Sequence, residues 1–335
     1  MPNIYEVAKL AGVSLSTVSR VLNGKTSVNS TFREKVEKAM AELNYRPSNV
    51  ARSLANKRTN SVGLLIAELN TPFFGEMMKA VESTLRAANK HVIITVGRHE
   101  LQAERDGIDF LISRECDALI LYSEAIPDTD LLDLSNKLPI SVVNRVIPGL
   151  EDACIYLDNE AGGYLSAKHL LNLGHSQIGY IAGLNSREDA RLRQQGYIRA
   201  MTEAGYKEKD LIIYPGDYTE ESGFAGIERL LNVHPRLTAI SCANDWMASG
   251  AMSWAREHNI QLPDDLSIIG FDNILFAHHL HPKLTTILNP IDLMGEMAAN
   301  YILNKVYKKK KQVNNIFQPE LIVRRSTVPT KTNER

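Results

Sequence analysis

Residues 15–23 read LSTVSRVLN, a stretch dense in hydroxyl, guanidinium and amide groups. Val18, Val21 and Leu22 recur at i, i+3 and i+4, the apolar stripe of a short helix. That periodicity leaves Ser16, Thr17, Ser19, Arg20 and Asn23 on faces open to a partner, with Leu15 at the border of the stripe. Arg20 carries a planar fork able to bond guanine O6 and N7 together, a contact worth about 1–3 kcal/mol of base discrimination. Hydroxyls at Ser16, Thr17 and Ser19 suit phosphate oxygens. A second set of groups suits a small polar ligand: Phe73 in NTPFF offers a flat apolar surface, while Arg193 in ARLRQQGY, Asn244 in CAND and Asp272 in GFDN offer paired hydrogen bonds to adjacent hydroxyls. Each also has a plain structural reading, Phe as core, Arg as surface and Asp as a helix cap.

Positioning the first set requires a small helical module. IYEVAKLA places Ile4, Val7, Ala8 and Ala11 on one face, Gly12 breaks the pattern, and Ser14 offers an N-cap to a helix over Leu15–Leu22. A third helix is expected from about Thr31 to Leu43, capped by Ser30, with Val36, Ala39, Met40 and Leu43 facing inward. This brace, sharp turn and second helix form a helix-turn-helix. PSNVARSLANK, from 47 to 57, reads as a helix with Val50, Ala51 and Leu54 on one side. At this length it needs partners to be ordered, since isolated helices below about 12–15 residues are marginal.

After TNS at 59–61 the rhythm changes to short β-rich runs alternating with helical patterns, in two successive sets. That order predicts parallel sheets with helices on both faces, two similar α/β units in tandem, and a cleft between them at the strand ends. LTTILNPIDLMGEMAANYILNKVY and ELIVRRS come last and are expected to carry the chain back across that cleft.

Charge separates the two parts. Residues 1–58 hold ten Lys and Arg against four Asp and Glu, a surplus of six, although the whole chain sums to −1. A basic head on an acidic body fits a nucleic-acid partner. No apolar run is long enough for a membrane span and no secretory leader opens the chain, so a cytoplasmic protein without membrane contact is expected. Cys116, Cys154 and Cys242 are widely spaced and read as buried thiols. No GxxxxGK, HExxH or elbow-placed GxSxG is present, so neither catalytic residues nor a cofactor is expected. His278, His279 and His281 in AHHLHP lack a carboxylate or Cys companion and are not read as a metal site. KVYKKKKQ at 305–312 reads as a solvated helix end, favoured by the helix dipole.

VAKLAGVSLSTVSRVLN, REKVEKAMAELNYRP and NVARSLA resemble the opening of the lactose/galactose repressor family of bacterial transcription regulators, and ECDALILYS and VVNRVIPGLEDACIYLDNEAGG look closest to galactose repressors. The resemblance implies that Leu15, Ser16 and Arg20 read base edges of a palindromic operator in double-stranded DNA. It implies that the helix near Leu54 pairs with its mate in a homodimer, where Leu54 wedges into the minor groove. The body resembles periplasmic sugar-binding proteins, which implies effector positions at Phe73, Asn144, Arg145, Asp158, Arg193, Tyr218, Asn244 and Asp272.

The implied organisation is an all-α helix-turn-helix domain over 1–46, a hinge helix and linker over 47–60, and a body of two doubly wound parallel-sheet subdomains. These subdomains comprise 61–158 with 290–318, and 159–289 with 319–328. The expected activity is repression of a sugar-utilisation operon, relieved by a small sugar such as galactose. Alternatives are a purine-type corepressor of opposite sign, or a sugar-binding or sugar-metabolising protein. TVPTKTNER carries no heptad segment, which favours a dimer.

Overall fold

A computed structural model describes residues 2–22, 28–45 and 58–330. The chain divides into two units, Met1–Asn60 and Ser61–Arg335.

In the first unit, α1 (Ile4–Ala11), α2 (Leu15–Leu22) and α3 (Ser30–Glu42) enclose Val7, Val18 and Val36, all fully buried. Gly12 ends α1 in the left-handed region at φ 63°, where an L side chain would be strained. The Val13 amide then bonds back to the Ala8 carbonyl at 3.1 Å, and Ser14 Oγ accepts from the Thr17 amide at 3.2 Å. Asn3 and Glu6 form a capping box on α1. The start of α3 differs from the expectation: Ser30 lies inside the helix, and Asn29 is the cap, accepting from the Thr31 amide at 2.9 Å. An Asn side chain one residue earlier satisfies the same unpaired N–H groups.

The second unit holds two six-stranded sheets. The first contains β1 (Ser61–Ile66), β2 (His91–Val96), β3 (Ala118–Leu121), β4 (Ile140–Val143), β5 (Cys154–Leu157) and β11 (Ile316–Phe317), all parallel, in the order β11-β5-β4-β3-β1-β2. Alternate residues of β1 serve opposite faces. Val62, Leu64 and Ile66 share a core with Met77, Val81 and Leu85 of α4 (Pro72–Ala87) and Met294 and Ile302 of α11 (Ile291–Tyr307), whereas Leu65 packs with Ile108 and Leu111 of α5 (Leu101–Ser113) and Leu131 of α6 (Asp128–Lys137).

The second sheet contains β6 (Ile178–Ala182), β7 (Ile212–Pro215), β8 (Ala239–Cys242), β9 (Ser267–Asp272), β10 (Thr285–Leu288) and β12 (Glu320–Ile322) in the order β12-β10-β9-β8-β6-β7, with only β12 antiparallel to its neighbour. Its helices are α7 (Asn159–Asn172), α8 (Glu188–Glu203), α9 (Glu220–Val233) and α10 (Asp245–Glu257). The chain passes between the halves after β5, after β10 and between β11 and β12.

Glycines set the helix spacing that matters for the cleft. A Cβ on Gly163 would sit 1.9 Å from the Arg193 carbonyl oxygen, and one on Gly196 1.9 Å from that of Glu160, so α7 and α8 touch backbone to backbone. Gly223 and Gly250 do the same for α9 and α10, at 2.0 and 1.9 Å from the carbonyl oxygens of Met247 and Glu220. Cys116, Cys154 and Cys242 are buried and free. Among the described residues no helix is long and apolar enough to cross a membrane.

Candidate functional site

In the first unit, burial of Val18 and Val21 turns the other face of α2 outward. Leu15, 39% exposed, stands off the core beside the exposed Ser16 and Arg20, with Thr17 and Ser19 half-buried. Ser14 Oγ lies 2.8 Å from Ser16 Oγ and 2.9 Å from Thr17 Oγ1, a hydroxyl cluster at the positive end of the helix dipole. Asn23 and Leu54 lie outside the described residues.

The second unit carries a cleft that encloses about 630 Å³ when the space open to solvent is counted. It opens where β1, β8 and β9 end, and Phe73, Arg193, Tyr218, Asn244 and Asp272 line it. Phe73 sits in the first turn of α4, which starts with Thr71 as cap and Pro72 in the first turn. Its ring meets Phe74 edge-on at 5.2 Å, and Phe74 meets Tyr122 edge-on at 4.9 Å, forming an apolar wall.

Opposite that wall the groups are polar and held in place. Arg193, pressed against the sheet by the glycine contact of α7 and α8, is 2% exposed. Its Nε donates to Asn159 Oδ1 at 2.9 Å, Nη1 donates to the Ala243 carbonyl at 2.7 Å, and Nη2 lies 3.2 Å from Asp272 Oδ1. The guanidinium also lies over the Phe271 ring, 3.8 Å from its centroid. Burial opposes its charge, but Asp272, Tyr218 and Asp189 together hold it protonated. Asp272 Oδ1 accepts a further bond from Asn289 Nδ2 at 3.1 Å. Burial, only partly opposed by Arg193 and Asn289, pushes its carboxyl up to about 6.

Asn244 caps α10 by accepting from the Met247 amide at 2.9 Å, while its Nδ2 donates to the Tyr218 carbonyl at 3.0 Å. The next residue, Asp245, is fully buried. It accepts from Thr286 Oγ1 at 2.6 Å and the Ile274 amide at 2.9 Å, fixing the loop after Asp272. Tyr218 adopts φ 75° and Asp272 φ 101°, conformations costly for L side chains. Room for the Tyr218 ring comes from Gly183, where a Cβ would lie 2.3 Å from the ring carbon Cζ.

Three further expected positions support the cleft from outside its lining. Asn144 Nδ2 donates to Tyr122 Oη at 2.9 Å and to Asp189 Oδ2 at 3.3 Å, joining the halves at the cleft base. Arg145 braces the first half through the Ile126 carbonyl at 2.8 Å and Asp128 Oδ1 at 2.5 Å. Asp158 caps α7, accepting from the Ala161 amide at 2.9 Å.

Several lining residues had no motif to mark them. Asp189, 6% exposed, sits one turn before Arg193 and receives the Tyr218 hydroxyl at 3.4 Å. The i, i+4 spacing of Asp189 and Arg193 was its one sequence signal. Trp246 lines the cleft, and its buried Nε1 has no partner among the described residues. At the rim, His99 Nδ1 lies 2.7 Å from Glu124 Oε2, which also pairs across the cleft with Arg187 Nε at 3.2 Å. Among the described residues no cluster of three or more His, Cys, Asp or Glu suited to a metal is found.

Residues 3–48 match the family model of bacterial regulatory proteins of the lacI family, and residues 167–327 match that of the periplasmic binding protein-like domain. The HTH-type transcriptional regulator GalR of Escherichia coli is 39% identical over 100% of this chain and 98% of its own length. Among solved structures, the Lac repressor dimer bound to operator and the anti-inducer ONPF superimposes with a TM-score of 0.86 at 30% identity, covering 98% of this chain and 99% of that one. The transcriptional regulator CelR in complex with cellobiose gives 0.69 at 29% identity over 97% of this chain and 100% of its own. The helical reading module, the paired α/β halves and this full-length similarity together make the chain a member of the lacI family of bacterial regulatory proteins, DNA-binding regulators of transcription.

Proposed function

We propose that the protein is a cytoplasmic, homodimeric repressor that binds a palindromic operator and is released from it by a neutral sugar, galactose or a close relative. The observation that carries the effector reading is the cleft itself, with an apolar aromatic wall on one side and amide and carboxylate groups held by protein bonds, beside the Trp246 ring, on the other. Such a pairing suits a pyranose, whose ring C–H face is apolar and whose hydroxyls are directional. Four carboxylates, Glu68, Asp189, Asp217 and Asp272, line the cleft against two guanidiniums, Arg187 and Arg193, both paired with carboxylates. That balance disfavours phosphorylated sugars and other anions.

On DNA, Leu15, Ser16 and Arg20 read base edges from α2, Thr17 and Ser19 hold phosphates, and Asn23 is a further DNA contact. The hinge segment 47–57, which lies outside the described residues, is the part proposed to pair with its dimer mate in the minor groove, with Leu54 as the wedge. Sugar closes the cleft, the halves shift, and that pairing is lost. Moving from mostly bound to mostly released needs about 5.5 kcal/mol of differential affinity, within reach of a dimer holding one well-bonded sugar per subunit.

Selection of binding sites from random duplexes tests the DNA part. The expected result is a two-fold symmetric site, with Arg20→Ala relaxing the preference at one base pair per half-site by about 1–3 kcal/mol. Recovery of no preferred sequence overturns it. Repeating the selection with galactose and with purine bases separates the effector readings: weakened binding with the sugar supports induction, and tightened binding with a purine overturns it.

A further inference from the structure

The end of the first half remote from the cleft gathers the starts of its parallel strands and the carboxyl-terminal ends of α4, α5 and α11. There the Tyr307 hydroxyl donates to Asp117 Oδ2 at 2.8 Å, and the Asp117 amide donates to the Ser61 carbonyl at 2.8 Å. The last turn of α11 therefore sits beside Ser61, the first residue of β1, at the point where the chain arrives from residues 1–60. Lys90 Nζ lies over the Tyr307 ring, 4.0 Å from its centroid.

Directly after this turn come Lys308, Lys309, Lys310 and Lys311, all exposed, with the exposed Lys305 one turn earlier. Their display is built into the fold. Lys308 ends α11 in the left-handed region at φ 56°, and the Asn304 side chain pins the bend, accepting from the Lys311 amide at 2.7 Å and donating to the Lys311 carbonyl at 2.8 Å. Lys308 Nζ reaches the Lys305 carbonyl at 3.2 Å, and none of these five lysines forms an ion pair with a carboxylate among the described residues.

A helix dipole accounts for cations within the last turn and falls off beyond it. It does not account for three more ammonium groups in succession, which repel one another. An anion in that place does. Apart from residues 1–58 the chain has a surplus of seven acidic groups, so this basic island is also out of keeping with its surroundings.

We infer that Lys305 and Lys308–Lys311 form a second DNA contact, a sequence-independent one, on phosphates flanking the bases read by α2. The inference rests on the reading of the first unit as a DNA binder. The chain of the first unit enters the body at this end, so DNA held by that unit is held by a polypeptide that joins the body beside the lysines. Ammonium groups on flexible stems suit phosphates as point charges and carry no base information.

The test uses the full chain with Lys308, Lys309, Lys310 and Lys311 all changed to Gln, titrated by fluorescence anisotropy against an operator duplex and an unrelated duplex over a range of salt. Affinity for both should fall by about tenfold or more near 0.1 M salt, and the slope of log K against log salt should shrink by about one for each phosphate the variant no longer neutralises. The preference between duplexes should not change, and the quadruple Lys→Arg variant should restore binding. Trimming the flanks from the operator duplex should weaken the wild type and leave the Gln variant unaffected. Unchanged affinity and slope overturn the inference, as does a Gln variant that loses binding only to anionic lipid vesicles. A wild type with no preference between duplexes refutes the reading of α2 instead, while the change in salt slope still decides the role of the lysines.

Discussion

The two halves of the body share a sheet plan and differ in what they bring to the cleft. The second half supplies buried polar groups whose bonds are already made: Arg193, Asn244 and Asp245 are 2%, 6% and 0% exposed, and each has at least two protein partners. The first half supplies rings, Phe73, Phe74 and Tyr122 meeting edge to edge, with charged groups only at the rim. Polar recognition gains from groups fixed in advance in a low-dielectric setting, because the cost of orienting them is met during folding. An apolar face needs no such orientation and tolerates movement. In the proposed function the second half is the rigid reader and the first half the surface that closes on it. Asn144 with Asp189 and Glu124 with Arg187 join them across the gap.

The contrast breaks most severely at Arg193. Replacing it with Ala leaves Asp272 and Asp189 buried without their cation, and chemical denaturation should show a loss of about 3–5 kcal/mol, whereas Phe73→Ala on the opposite wall should cost less stability while still weakening sugar binding. Next comes the helix contact that seats Arg193. Gly163→Ala forces a methyl group against the Arg193 carbonyl and should cost about 1–3 kcal/mol, while Gly75→Ala, in α4 with nothing within 4 Å of the new atom, should be neutral or gain up to about 1 kcal/mol in the same measurement.

A smaller effect follows from the Asp272 carboxyl, raised from its ordinary 3.8 to about 6. The folded state keeps this proton to higher pH than the unfolded state, so the contribution of Asp272 to stability is complete below about 4 and is lost as pH rises to about 6. Sugar hydroxyls donating to the carboxylate favour its ionised form. Sugar affinity measured by calorimetry should therefore rise over the same interval, by at most about tenfold per pH unit, and Asp272→Asn should flatten both profiles. The smallest change is expected at the rim: Glu124→Gln removes a partly exposed pair and should alter sugar affinity by no more than about fivefold, the scale of a roughly 1 kcal/mol interaction.

Much of this plan was legible in the chain. Periodicity at Val18, Val21 and Leu22, the break at Gly12 and the cap at Ser14 define α2 because they are local facts. The alternation of strand and helix patterns gave the two doubly wound halves for the same reason. Side-chain direction was not legible, since it depends on partners distant in sequence. Arg145 and Arg193 both stand in recognisable motifs, yet one braces loops of the first half and the other pairs with Asp272 across the second sheet. Asp189 and Trp246 are not marked by local pattern, since an i, i+4 charge pair such as Asp189 with Arg193 occurs as readily on a solvated helix face as beside a cleft. Asn29 displaced Ser30 as the cap of α3 because adjacent capping residues compete, and local pattern does not rank them.

If filling the cleft lowers affinity for DNA, anisotropy of a labelled operator duplex bound by the protein will report it as galactose is added. Dissociation should follow a saturable curve that Asp272→Asn shifts to higher sugar concentration or abolishes. Unchanged or tighter operator binding at saturating sugar, with sugar binding itself verified by calorimetry, would show that the sugar does not induce.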